Sequence, residues 1–188
     1  MKLFLPLLCA FALASSVFGK GKAIKSSAEA PTVKPRPVAS SISLSVRQGS
    51  SGRTAAGATT NATGAVRSTT EHSVGVEVTV ANLGAQPESV TVHWFWVGRY
   101  EKSRNWFRAG DGERKVSLEP KKSEPPFLAG GDVEEHNTKG ASSQYKSGGH
   151  LIGWVVTAMN AKGELVGLRA SDTYLEGFAA EPPPKQRN

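Results

Sequence analysis

Between positions 99 and 108 the chain interleaves cations with aromatic rings, in the run Arg99-Tyr-Glu-Lys-Ser-Arg-Asn-Trp-Phe-Arg108. Aromatic faces stack on sugar rings or bases, and guanidinium groups take phosphate, sulfate or carboxylate through paired N–H donors. Arg99, Tyr100, Arg104, Trp106, Phe107 and Arg108 are therefore the candidate ligand-binding set, suited to a glycan or an anionic polymer. The competing expectation is that Trp106 and Phe107 plug one end of a β-sandwich while the charges form a solvated rim. Gly110-Asp-Gly112 reads as the turn that follows.

Other chemistry is thinly represented. His72, His93, His136 and His150 include no pair at the i, i+4 spacing of a helical zinc motif. Glu134-Glu135-His136 brings two carboxylates together in sequence, but an extended chain sends neighbouring side chains to opposite sides. That arrangement defeats paired acid–base work. Neither a Gly-x-Ser-x-Gly elbow nor a phosphate-binding glycine loop occurs. The expectation is a chain that is not an enzyme and holds no metal and no cofactor.

The elements that must position the candidate set follow an export signal. Lys2 supplies positive charge, Leu3 to Ala14 is an apolar run broken by Pro6, and small residues mark cleavage after Gly19 or after Ala14. This is the layout of a secretory signal peptide, and the run is too short for a spanning helix. The sole cysteine, Cys9, leaves with the signal. The mature chain then has no disulfide, no thiolate metal site and no cysteine nucleophile. Small secreted eukaryotic domains lean on disulfides, so a sulfur-free exported domain points to a bacterial envelope. The Asn61-Ala-Thr63 sequon then reads as chance. The chain carries +7. Losing Lys2 takes one from the 23 Lys and Arg against 16 Asp and Glu, leaving +6. Part of that excess sits in the tails.

Residues 20–40 hold Pro31, Pro35 and Pro37 among Lys, Ser and Ala, without apolar periodicity, and read as a disordered linker. Residues 181–188, with Pro182-Pro-Pro184, read as a second linker-like tail. Between them, Ser41 to Arg47 alternates strictly between polar and apolar, the period of a half-buried strand. Residues 48–70 are rich in Gly, Ser, Thr and Ala and read as a mobile loop whose last few residues join the next strand. Val74, Val76, Val78 and Val80 share one parity. Val90, Val92, Trp94 and Trp96 repeat it, and the opposite parity ends in Phe95 and Val97, so that strand finishes covered on both faces. A short strand is expected at 114–118, a loop over 129–149, strands at 151–159 and 164–171, and a turn at Asn160-Ala-Lys-Gly163. Residues 172–179 suit a last strand or a short helix capped by Asp172. Trp94, Trp96 and Trp154 fall in phase with aliphatics and are assigned to the core. No long segment has helical spacing. An all-β, antiparallel β-sandwich over 41–180 follows.

The stretch Val74-Gly-Val-Glu-Val-Thr-Val-Ala-Asn-Leu-Gly84, followed by a turn and the strand from Ser89 to Gly98, resembles bacterial immunoglobulin-like sandwich domains of exported proteins. The segments 99–114 and 119–149 depart from that pattern. The resemblance implies an immunoglobulin-like fold and an adhesion or spacer role, and it brings no catalytic residues. The expectation for the whole is an exported noncatalytic protein with a structural or protein-interaction role in the bacterial cell envelope, periplasmic or on the cell surface. The alternative is a glycan- or anionic-polymer-binding module. The expected partner is a protein or polysaccharide rather than nucleic acid, and no transmembrane segment is expected after signal removal.

Overall fold

The computed structural model describes residues 29–60, 66–100, 103–139 and 144–186. Segment 1–19 with Cys9, expected to be an export signal, the part of the expected linker before Glu29 and the Asn61 sequon lie outside the described residues. Within them the chain is all-β and antiparallel, with one short helix. The seven strands are β1 (Ile42–Thr60), β2 (Val66–Asn82), β3 (Glu88–Tyr100), β4 (Trp106–Leu118), β5 (Phe127–Lys139), β6 (Gln144–Asn160) and β7 (Leu165–Ala170). A 3-10 helix, Thr173–Ala179, follows.

The strands make two sheets that share β6. One runs β1-β2-β5-β6; the other sets β4 on β3, β3 on β6 and β6 on β7. Residues Gln144 to Gly148 pair with β5, and from Gly149 onward β6 pairs with β3. Alternation decides what faces inward. Ile42 and Leu44 of β1 meet Val76, Val78 and Val80 of β2. Across the gap stand Val90, Val92 and Trp96 of β3, with Phe107 and Val116 of β4 and Val156 and Ala158 of β6. Each such side chain withdrawn from water contributes about 1.5–3 kcal/mol.

The second sheet is covered on its other face as well. Phe95 and Val97 of β3, Val155 of β6 and Leu168 of β7 pack beneath Leu175 and Phe178 of the 3-10 helix. This bears out the expectation that β3 ends covered on both faces, since its burial is continuous from Phe95 to Gly98. Asp172 starts the helix by accepting the Tyr174 N–H at 3.3 Å. Segment 29–40 forms neither strand nor helix. It lies against this end of the molecule, with Lys34 paired to Glu176 at 3.4 Å and Val38 N–H donating to Leu165 O.

Two polar side chains fix turns. Asn82, fully buried, donates through Nδ2 to Gln86 O at 2.7 Å and accepts Gly84 N–H at 2.8 Å. Asn160 accepts from Lys162 N and Glu164 N at 2.9 Å, which closes the β6–β7 hairpin with Gly163 at φ 78°. That turn stands where the sequence put it.

Three expectations are corrected. Residues 48–70 and 129–149 are largely strand: β1 and β2 stay paired out to Thr60↔Val66, β2 and β5 to Val66↔Lys139, and β5 and β6 from Glu135↔Gly148 to Lys139↔Gln144. These extensions continue strands already anchored in the sandwich. Each further pair satisfies backbone donors and acceptors, and backbone pairing by itself leaves no alternation in the sequence. Gly110-Asp-Gly112 lies inside β4 instead of turning the chain, with Asp111 opposite Phe95 and Gly112 opposite Trp94. The indole of Trp94 rests where a Cβ on Gly112 would stand, so glycine serves close approach there. The proline-rich tail is not free: Arg108 N–H donates to Pro184 O at 2.7 Å, Gln186 N–H donates to Arg108 O at 2.9 Å, and Pro183 is buried. An unpaired β4 edge supplies the groups that capture it.

Candidate functional site

The candidate ligand set of the sequence falls on the hairpin between β3 and β4. Arg99 stands opposite Trp106 in the ladder. The tip is closed by Tyr100 N–H donating to Asn105 O at 2.9 Å and Arg104 N–H donating to Tyr100 O at 3.0 Å. Arg104 takes a left-handed backbone, φ 56°, and its carbonyl accepts from Arg99 Nε at 2.9 Å. Strand alternation then separates the six residues. Phe107 turns inward, fully buried, and packs against Tyr100 with ring centroids 4.5 Å apart. Trp106 turns to the outer face, 7% exposed, with Phe178 at 5.2 Å and Tyr174 at 6.2 Å. The Arg99 guanidinium lies over the Trp106 ring at 5.1 Å, a cation–π contact. Arg108 is half-buried, its Nη1 3.8 Å from Asp111, which also pairs with Lys185 at 3.1 Å. Arg104 is exposed at the tip.

The hairpin therefore brings Arg99, Trp106 and Arg108 to the outer face and keeps Phe107 for the core. Of the two candidate aromatics of β4, Phe107 packs in the core between the sheets and Trp106 packs outside it against the 3-10 helix. Trp106 Nε1 and Arg108 Nε are buried donors without a hydrogen-bond partner. Burial raises the Tyr174 hydroxyl above its ordinary pKa, Asp172 adds to the rise, and Arg99 opposes it.

Phe107 packs so deeply because two glycines face its ring. A Cβ on Gly98 or on Gly149 would overlap it. Gly149 is also where β6 changes partner from β5 to β3. One aromatic ring thus wedges the junction between the sheets.

A second site was not legible in the sequence. A cleft of about 370 Å³ opens between the two sheets beyond the end of β7. Trp96, Val76 and Gly75 are its buried floor; Val74, Ile152, Gly153 and Trp154 form the walls. The rim is Gln48 and Gly49 of β1 on one side and Ser171, just past β7, on the other. The Ser171 hydroxyl accepts Trp154 N–H at 3.1 Å, which fixes one lip. None of these side chains is titratable. Five separate segments supply them, so no local motif announces the cleft. The sequence had placed Trp96 and Trp154 in the core. Trp96 is buried there, while Trp154 packs against it partly exposed and walls the cleft.

The other sequence candidates do not assemble. His93 Nδ1 faces Glu113 at 3.5 Å, and His150 is exposed. The side chains of His72, Glu134, Glu135 and His136 lie outside the described ones. Among the described residues no three His, Cys, Asp or Glu side chains gather as a metal site, and no helix is long and apolar enough to cross a membrane.

No protein-family model matches the chain, and no curated protein matches it. Among solved structures, similarity extends to a Northeast Structural Genomics Consortium target, SoR45, at 10% identity and TM-score 0.28, covering 71% of this chain and 87% of that one. It also extends to a Bordetella pertussis protein provisionally assigned as ApaA, at 9% identity and TM-score 0.27, covering 71% and 95%. These likenesses are too loose to bear on fold or function.

Proposed function

We propose that this chain is an exported, noncatalytic β-sandwich module with a structural or protein-interaction role in the bacterial cell envelope, periplasmic or on the cell surface. One observation carries the reading. The cleft beneath Gln48 and Ser171 is lined by indoles, aliphatic side chains and glycine backbone, with no ionisable group. Such a lining holds a ligand by contact area and shape and supplies nothing to move protons. The signal layout of residues 1–19 supports the export half.

Expression of the full chain in a bacterial host tests it. The expected product is a processed protein beginning at Lys20 or Ser15, released with the periplasmic fraction or the medium, as read by intact mass. Retention of the unprocessed chain in the cytoplasm would overturn the reading.

The hairpin favours a second reading, a glycan- or anionic-polymer-binding module, because Arg104 is exposed beside the Arg99–Trp106 stack. A sulfated glycan titrated at rising salt should then bind progressively more weakly, and Arg104→Glu should weaken it further. Silence across sulfated, phosphorylated and carboxylated polymers removes this alternative.

A further inference from the structure

Among the described residues the sandwich leaves edges on β1, β4, β7 and the first part of β5, and the chain covers those of β4 and β7 itself; on β5, which β6 reaches only from Glu135 onward, Gly130 O accepts from Trp94 Nε1 at 3.2 Å. The edge of β4 is capped by the tail, through Arg108 N–H to Pro184 O and Gln186 N–H to Arg108 O. The edge of β7 receives Val38, whose N–H donates to Leu165 O at 2.8 Å. β1 pairs with β2 alone, and no backbone bond from another segment reaches its outer edge among the described residues. Ser45, Arg47 and Gln48 are exposed there. An open edge of this length is a template for an added strand. Gln48 and Gly49 belong both to this edge and to the rim of the cleft, so a side chain from a strand added along β1 would lie at its mouth.

We propose that the β1 edge and the cleft together form a receptor for an extended peptide segment of a partner protein, with one uncharged aromatic side chain seated in the cleft and acidic residues beside it. The proposal rests on the interaction-module reading above and adds the partner's chemistry. Main-chain pairing supplies sequence-independent affinity, and a pocket for an alternate side chain supplies selectivity. The volume of about 370 Å³ accepts one large side chain. The absence of charge in its lining excludes an ionised anchor, because a buried charge needs a partner. The Trp96 and Trp154 rings favour an aromatic one. Arg47 stands exposed on β1 next to the rim, with Glu77 of β2 on one side of it; an acidic residue on an added strand would meet the guanidinium from its free side.

The test uses three fluorescein-labelled nonapeptides: alternating Thr and Val with Glu at both ends and Trp at the centre, the same peptide with Ala at the centre, and the tryptophan peptide with Pro at alternate positions. Fluorescence anisotropy against the mature chain reads affinity, and hydrogen exchange reads where the peptide lies. The tryptophan peptide is expected to bind with protection of β1. The alanine and proline peptides should each bind roughly tenfold or more weakly, the size of effect an anchor residue carries. Gln48→Phe, at an exposed position, should fill the mouth and cost a similar factor with the melting temperature unchanged. No binding by any peptide at millimolar concentration overturns the proposal. So do equal affinities for the tryptophan and alanine peptides, unchanged affinity in Gln48→Phe, or protection confined to β4. Failure of export would sink the functional reading and leave these affinities intact, so the two failures are distinguishable.

Discussion

The sandwich and the ribbon that extends from it are both antiparallel sheet, yet different forces hold them. In the sandwich, side chains at every second position leave water: Val76, Val78 and Val80 on one sheet face Val90, Val92 and Trp96 on the other. In the ribbon, built from the far ends of β1, β2 and β5 and the start of β6, the ladder continues through register shifts at Gln48/Ser51 and Ala55/Gly57. Its described side chains at Gly52, Gly57 to Thr60 and Val66 are exposed. Backbone hydrogen bonds contribute little net stability in water, because the unfolded chain makes them to solvent. Apolar burial contributes far more per residue. The difference teaches that strand content alone does not locate stability here.

The largest effect that would break this comparison belongs to Phe107. Phe107→Ala empties a fully buried site beneath Gly98 and Gly149 and removes the ring contact with Tyr100. The expected loss is about 3–5 kcal/mol of unfolding free energy, read by urea denaturation. A loss below about 1 kcal/mol would show that the junction of the two sheets is not a packed core. Asn82→Ala comes next. It removes two hydrogen bonds that hold a part-buried turn, to the Gln86 carbonyl and from the Gly84 amide, at about 0.5–1.5 kcal/mol each. Asn82→Asp keeps the acceptor for Gly84 N–H but turns the donor facing Gln86 O into an acceptor, so it should not rescue stability at neutral pH.

The same division of forces explains what the sequence disclosed. Strands that bury one face announce themselves by alternation, so 41–47, 71–82, 90–97, 151–159 and 164–171 were legible, as was the Asn160 turn; over 172–179 the sequence left a strand and a helix capped by Asp172 both open. The ribbon was not, because its Gly-, Ser- and Thr-rich sequence carries no apolar repeat of period two. Gly110 and Gly112 misled for a related reason. Glycine marks a turn in isolation, but at 112 it makes room for an indole that arrives from β3. At the candidate site the composition of the Arg99–Arg108 segment was plain. Its division between two faces follows from parity only once Trp106 is known to begin a strand. The cleft draws on positions from 48 to 171 and exists only through topology.

A smaller effect separates the outer cluster from the inner core. Burial first, and Asp172 second, raise the Tyr174 hydroxyl above its ordinary value of 10.0. A group whose folded pKa is raised contributes stability that is complete below the unfolded pKa and is lost as pH climbs through the folded one. Stability should therefore fall above about pH 10, with the Trp106–Tyr174 contact loosening first. Tyr174→Phe should flatten that fall between pH 9 and 11 in thermal melts and leave the curve at pH 7 close to wild type. An identical alkaline slope in the variant would assign the loss to the lysines instead.

The smallest effect is the sharpest for the comparison itself. If the ribbon is held by its ladder alone, Thr59→Ala should change global unfolding by no more than about 0.5 kcal/mol, despite lying inside a 19-residue strand. Hydrogen exchange should then divide single strands in two. The β2-bonded amides of β1 from Ile42 to Val46 and the amides of β2 from Val76 to Val80 should exchange only through global opening, while the paired amides from Arg53 to Thr60 and from Val66 to His72 open locally and exchange much faster. The boundary is expected near Gln48 and Val74, where β1 shifts register and the cleft begins. Uniform protection of all the β2-bonded amides of β1 would mean that the ribbon shares the cooperative core, and that backbone pairing carries more of this fold than apolar burial does.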